Sequence, residues 1–133
     1  MKAKDIMSTK LIYVTPTTTL KKAIQTLITH DVSGLPVVDR MDHLVGIVTE
    51  EDLMLTWHDV NMENIDVVLK DCHVFGSPLI IEKVITAAMD TPIGEIIKTL
   101  VYKRIKRVPI VEDGRLVGIL SRRDILKYLM KRL

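Results

Sequence analysis

Apolar positions recur along the chain at two periods. Leu20, Ala23, Ile24, Leu27 and Ile28 follow the spacing i, i+3, i+4, i+7, i+8, the one-sided stripe of an amphipathic helix. Ile93, Ile96, Ile97, Leu100 and Val101 repeat that stripe 73 residues later. Thr17 and Asp90 precede the stripes by three residues and are the expected N-caps. Pro92 suits the first helical turn, where a missing N–H costs nothing. Shorter apolar runs predict strands at Leu11–Val14, Leu35–Val38 and Leu44–Val48, and again at Val84–Ala87, Val108–Val111 and Leu116–Leu120. The last two runs of each set read as a hairpin. Asp113-Gly114 is a favoured two-residue hairpin turn, whereas the first hairpin spends more residues around Arg40-Met41-Asp42. A further helix is expected after Thr49 and after Ser121.

The two sets are copies of each other. Leu35-Pro36-Val37-Val38-Asp39 aligns with Val108-Pro109-Ile110-Val111-Glu112 at an offset of 73. Leu44-Val45-Gly46-Ile47-Val48-Thr49-Glu50-Glu51-Asp52-Leu53 aligns with Leu116-Val117-Gly118-Ile119-Leu120-Ser121-Arg122-Arg123-Asp124-Ile125 at 72, the lost residue falling in the turn. An internal repeat of this length is one supersecondary unit used twice. Each unit reads βαββα, so the fold class is α/β in the broad sense (α+β). A unit of about 50 residues is too small to bury such a helix pair alone, so a pseudo-twofold pair is expected. The domain organisation is then repeat 1 over residues 1–57, a connecting segment over 58–77, and repeat 2 over 78–133. Met62, Ile65, Val68 and Leu69, after a possible Asn61 cap, give the connecting segment helical spacing up to Gly76-Ser77-Pro78.

Composition narrows the class. The 133 residues are 47% hydrophobic and 27% charged, which excludes a disordered chain and a disulfide scaffold. A lone cysteine, Cys72, fits a reducing, cytoplasmic setting. No apolar run approaches the ~18 residues of a membrane span, and Met1-Lys2-Ala3-Lys4-Asp5 does not open a secretory leader. Aromatics at 4% are too few for a stacking platform on single-stranded nucleic acid. The halves are electrically opposite. Residues 1–77 carry 7 Lys/Arg against 11 Asp/Glu, and residues 78–133 carry 12 against 6.

The chemistry concentrates in Thr49-x-x-Asp52 and Ser121-x-x-Asp124. On its own this spacing is a capping box, in which the hydroxyl takes an N–H of the first turn and the acid answers it. The same geometry also suits a ligand. A helix N-terminus offers free N–H groups and a positive dipole end to a phosphate, and a carboxylate can accept hydrogen bonds from both hydroxyls of a ribose. Elsewhere the residues give bland readings. Lys103-Arg104-Ile105-Lys106-Arg107 reads as a solvated helix end with cations at its C-terminus, not as a nucleic-acid site. The four histidines lack ligand spacing, so no metal is expected. Gly46 and Gly118 read as close approaches within strands. No nucleophile elbow and no glycine-rich phosphate loop is present.

The paired motifs resemble the cystathionine beta-synthase (CBS) domain: twice an apolar-Pro-apolar-apolar-acid strand, then Leu-Val-Gly-apolar-apolar-Ser/Thr-x-x-Asp. The resemblance covers about residues 5–57 and 78–133. It implies a tandem pair, or Bateman module, with two clefts between the repeats that take adenine nucleotides or other adenosyl compounds. By the resemblance each site is composite. One would use Ile119, Ser121 and Asp124, completed by Ile12, Tyr13, Val32, Ser33 and Gly34. The other would use Ile47, Thr49 and Asp52, completed by Ile85, Ile105, Lys106 and Arg107. Repeat 2 departs from the family's usual first strand, with Ala87-Ala88-Met89 where repeat 1 has Val14-Thr15-Pro16.

The expectation is therefore a non-catalytic regulatory module sensing an adenosine-containing metabolite (AMP, ADP, ATP or an S-adenosylmethionine-like compound) and acting on an unidentified protein. The alternative is a structural dimerisation or partner-binding module with empty clefts. Arg122-Arg123 after Ser121 favour a phosphorylated ligand there, and Glu50-Glu51 after Thr49 repel one. Apolar positions Ile125, Leu126, Leu129 and Met130 on the last helix suggest a homodimer.

Overall fold

A computed structural model describes residues 1–59, 66–80 and 84–133. In chain order the elements are α1 (Ala3–Ile6), α2 (Leu20–His30), β1 (Gly34–Val38), β2 (Leu44–Thr49), α3 (Glu50–Asp59), a 3-10 turn (Leu69–Asp71), β3 (His73–Val74), β4 (Ser77–Pro78), α4 (Ile93–Tyr102), β5 (Arg107–Glu112), β6 (Arg115–Ser121) and α5 (Arg122–Met130). They form two compact bodies, residues 12–84 and residues 1–11 with 85–133. The mixture of helices and antiparallel strands is α+β.

Residues 12–84 are built on the β1–β2 hairpin. Leu35 faces Val48 and Pro36 faces Ile47, and a bulge at Val45 shifts the register between Val37 and Val38. Asp39 Oδ1 accepts the Met41 and His43 N–H groups at 2.8 and 3.0 Å, which folds the longer turn on one side chain. α2 lays Leu20, Ala23 and Leu27 into a core with Leu35, Val37, Val48, Leu53 and Leu69. Ile28, the last member of the predicted stripe, is 75% exposed.

The body of residues 1–11 and 85–133 repeats this plan. β5 and β6 pair with Pro109 facing Ile119 and a bulge at Val117, and Asp113 (φ 51°) and Gly114 (φ 78°) make the tight turn. Ile93, Ile96 and Leu100 of α4 are buried with Val108, Ile110, Leu120 and Ile125. Ala3 joins that core, fully buried. The first residues are bound along this body: Ala3 N–H donates to Thr91 O and Lys4 N–H to Met89 O, each at 2.9 Å. Lys2 and Lys4 meet the Asp90 carboxylate at 3.5 and 3.1 Å. Ser8 and Ile119 exchange backbone hydrogen bonds of 2.8 and 3.0 Å. A Cβ added to Gly118 would lie 2.5 Å from Met7 Sδ, so the glycine admits the Met7 side chain.

Four sequence expectations change. The first strands shrink to single bridges, Val14 to Val37 and Ala87 to Ile110. The reason is local: Thr15 N–H turns to Thr18 Oγ1 and Ala88 N–H to Thr91 Oγ1, each at 2.9 Å, so the ladder ends. The helix caps move as well. Thr19, not Thr17, caps α2 by accepting the Lys22 N–H, and Pro92 rather than Asp90 stands at the start of α4. The described part of the connecting segment is not one helix. Leu69 and Lys70 N–H groups go to Thr18 O and Pro16 O, which leaves only a 3-10 turn, and His73–Val74 pairs with Ser77–Pro78. Met62 and Ile65 lie outside the described residues. Finally, the basic run is a helix end only at its start. Lys103 caps α4, Arg104 is left-handed (φ 53°), and Arg107 begins β5.

Candidate functional site

Each body places a hydroxyl and a carboxylate at a strand-to-helix junction. In residues 12–84, Thr49 ends β2 opposite Gly34. Its N–H donates to Asp52 Oδ2 and its Oγ1 accepts the Asp52 N–H, both at 3.2 Å. The Glu50 N–H donates to Ser33 O at 2.9 Å, which holds the Val32-Ser33-Gly34 loop against the start of α3. Asp31, in the left-handed conformation (φ 50°), ends α2 and turns the chain into that loop. Thr56, fully buried, donates to the Asp52 carbonyl at 2.8 Å and fixes the first turn of α3. Ile12 is half-buried against the core, and Tyr13 is exposed just ahead of the Val14 bridge.

In the other body, Ser121 ends β6 opposite Arg107. Asp124 Oδ2 accepts the Ser121 N–H at 2.8 Å and the Ser121 hydroxyl at 3.0 Å, while Ser121 Oγ accepts the Asp124 N–H at 3.2 Å. The Arg122 N–H donates to Lys106 O at 3.0 Å, and its Nε donates to Ile105 O at 2.9 Å. Ile105, Lys106 and Arg107 therefore lie against the start of α5 as Val32, Ser33 and Gly34 lie against the start of α3. Ile119 is bound at its backbone by Ser8, and Ile85 is exposed two residues before the Ala87 bridge.

Seen within each body, the residues collect as Val32, Ser33, Gly34, Ile47, Thr49 and Asp52, and as Ile105, Lys106, Arg107, Ile119, Ser121 and Asp124. Both junctions are closed capping boxes, with hydroxyl and carboxylate bonded to each other's backbone. They differ in charge. The first turn of α3 carries Glu50, Glu51 and Asp52, and that of α5 opens with Arg122 and Arg123. A helix start with cations attracts an anion; one with three carboxylates opposes it. Sequence reasoning missed the first residues, Met7 and Ser8, which run beside Gly118 and Ile119. The only signal in the sequence was the glycine itself. Ile125 leaves the list of exposed dimer-face positions, because it is buried in the core with Ala3. Leu126, Leu129 and Met130 are exposed.

Comparison with known proteins agrees with this duplicated plan. The CBS domain family model matches residues 3–59 and 77–131, so the chain belongs to the CBS domain family. It is 37% identical over 127 residues to inosine-5'-monophosphate dehydrogenase of Methanocaldococcus jannaschii, covering 95% of this chain and 23% of that protein. It is 30% identical to the protein MJ1225 of the same organism, covering 42% of it. The chain thus spans well under two-thirds of these relatives. Among solved structures it resembles the CBS domain pair of protein MJ0100 in complex with 5'-methylthioadenosine and S-adenosyl-L-methionine (TM-score 0.81, 27% identity, 100% of this chain and 98% of that one). It also resembles CBSX2 in complex with AMP (TM-score 0.83, 26% identity, 98% and 97%). No described helix is long and apolar enough to cross a membrane.

Proposed function

We propose that this chain is a non-catalytic regulatory module that binds an adenosine-containing ligand and reports it to another protein. The observation that carries the reading is the duplicated junction, Thr49-x-x-Asp52 and Ser121-x-x-Asp124, in a chain resembling pairs solved with AMP and with S-adenosyl-L-methionine. In this reading Asp52 and Asp124 receive the ribose hydroxyls. The Ser121 hydroxyl and the first N–H groups of α5 receive phosphate. The remaining contacts are those the family implies: Ile12, Tyr13, Val32, Ser33 and Gly34 complete the Ser121 site with Ile119, and Ile85, Ile105, Lys106 and Arg107 complete the Thr49 site with Ile47. The charge contrast gives the sites different tastes. The Ser121 site takes a phosphorylated nucleotide, and the Thr49 site a less anionic adenosyl compound. Binding acts by favouring one of two states of the module, as any effector must. A homodimer through Leu126, Leu129 and Met130 and a cytoplasmic setting belong to the same reading.

One observation favours a purely structural module: both capping boxes are complete without a ligand. Calorimetric titration separates the two. The sensor reading expects AMP to bind and to be lost in Asp124→Ala, with 5'-methylthioadenosine lost in Asp52→Ala. A wild-type chain that binds neither leaves the structural module.

A further inference from the structure

Beyond the junctions, one concave surface collects charge. The first residues and the outer face of α5 enclose a pocket of about 650 Å³ lined by Met1, Asp5, Ile6, Met7, Asp124, Lys127, Tyr128, Lys131 and Arg132. Asp124, Lys127, Tyr128 and Lys131 have the spacing i, i+3, i+4, i+7, so they share one face of the helix and its extension. Three cations thus converge on the pocket with two carboxylates. Both carboxylates are already engaged at helix starts: Asp5 Oδ2 accepts the Lys2 N–H at 2.8 Å, and Asp124 Oδ2 accepts from Ser121. Among the described residues no carboxylate lies within ion-pair distance of Lys127, Lys131 or Arg132. The Arg132 guanidinium lies 4.9 Å from the centre of the Tyr128 ring. Stacking of this kind holds the plane of the group and leaves its N–H edge to fork onto an oxyanion. The helix dipole explains cations at this end of α5. It does not explain their meeting, with a stacked guanidinium and a phenol, on one hollow.

We propose that this pocket is an anion site for a diphosphate group, held by Lys127, Lys131 and the stacked Arg132; it borders the proposed adenosyl site at Asp124 but does not rest on that reading. Cations four residues apart on a helix are roughly 6 Å apart at Cβ. That span suits two linked phosphates better than one. Free pyrophosphate and a nucleotide tail share this chemistry, and the test distinguishes them.

The probe is inorganic pyrophosphate, titrated calorimetrically into the whole chain at low salt, alone and with saturating adenosine, which fills an adenosyl site without bringing phosphate. The proposal expects one pyrophosphate per chain and a loss of affinity of about tenfold or more in Lys127→Gln/Lys131→Gln. Both lysines are exposed, so that variant is expected to melt as the wild type does. Pyrophosphate binding that persists beside adenosine marks a free-standing site. Tighter binding of ADP than of pyrophosphate, lost in the same variant, marks a nucleotide tail and keeps the site. The proposal is overturned if pyrophosphate and ADP both fail to bind at millimolar concentration, or if the double variant binds them as the wild type does.

Discussion

Asp52 and Asp124 complete capping boxes, and in the proposed reading they also bind ligand; the two roles separate experimentally. As the third residues of their capping boxes they help hold the starts of α3 and α5 by accepting the Thr49 and Ser121 N–H groups at 3.2 and 2.8 Å. Removing a cap costs about 1 kcal/mol. Asp52→Ala and Asp124→Ala should therefore lower the denaturation midpoint modestly, while abolishing binding at their own sites. A binding loss with no stability loss would mean that the boxes are not closed in solution. Cys72 gives a second residue-scale expectation. It is 2% exposed, and burial, with the Asp71 carboxylate adjoining, pushes its thiol above the ordinary range. The thiol should resist a disulfide-exchange reagent at neutral pH in the folded chain and react at once in denaturant. Rapid native reaction would show that the core around Leu69 and Leu79 opens.

At the scale of elements, the first residues belong with α4, β6 and α5 through Asp90, Met89, Thr91 and Ile119. The Lys4 ammonium, then Lys2, hold the Asp90 carboxyl below its usual range. Since its folded pKa lies below the unfolded one, the tie is present above the normal carboxylate range and is lost as pH falls through the folded value. Amide exchange of residues 3–8 should therefore rise in acid before that of β5 and β6, and Asp90→Asn should remove the difference. Equal protection of both segments down to global unfolding would contradict this. The hairpins and long helices were legible because their chemistry is local: alternation, Asp113-Gly114, and apolar stripes at helical spacing. The helix start was not. Thr15, Thr17, Thr18 and Thr19 all offer a capping hydroxyl, and the choice falls to contacts from Val67 and Leu69 far along the chain. The 3-10 turn at Leu69 is set in turn by the distant Thr18 and Pro16 carbonyls. The buried face of α5 escaped notice because Ala3, which covers Ile125, comes from the other end of the sequence.

For the whole molecule, duplication is the organising fact. Val14 and Ala87 make the same pair of bonds, to Pro36 and Val38 and to Pro109 and Val111, so the departure at Ala87-Ala88-Met89 keeps the backbone plan while changing the side chains. Val45 and Val117 bulge at equivalent places. What has diverged is charge, with acids opening α3 and arginines opening α5. A duplicated scaffold with unlike electrostatics fits a sensor that tells two related ligands apart. The candidate site was legible as paired motifs, since a hydroxyl and an acid three residues apart at a helix start have few physical uses. The spacing alone reads as a capping box, and both boxes are closed in the structure.

The most direct test of the central reading is thermal unfolding of the chain against adenosine compounds, with guanosine analogues as controls. A ligand that binds only the native state stabilises it by about 2.7 kcal/mol at 100 times its Kd. The account predicts a rise in Tm with AMP and with 5'-methylthioadenosine, little with the guanosine analogues, and loss of the AMP shift in Asp124→Ala. An unchanged Tm with every adenosine compound, in a chain that unfolds cooperatively, would contradict it.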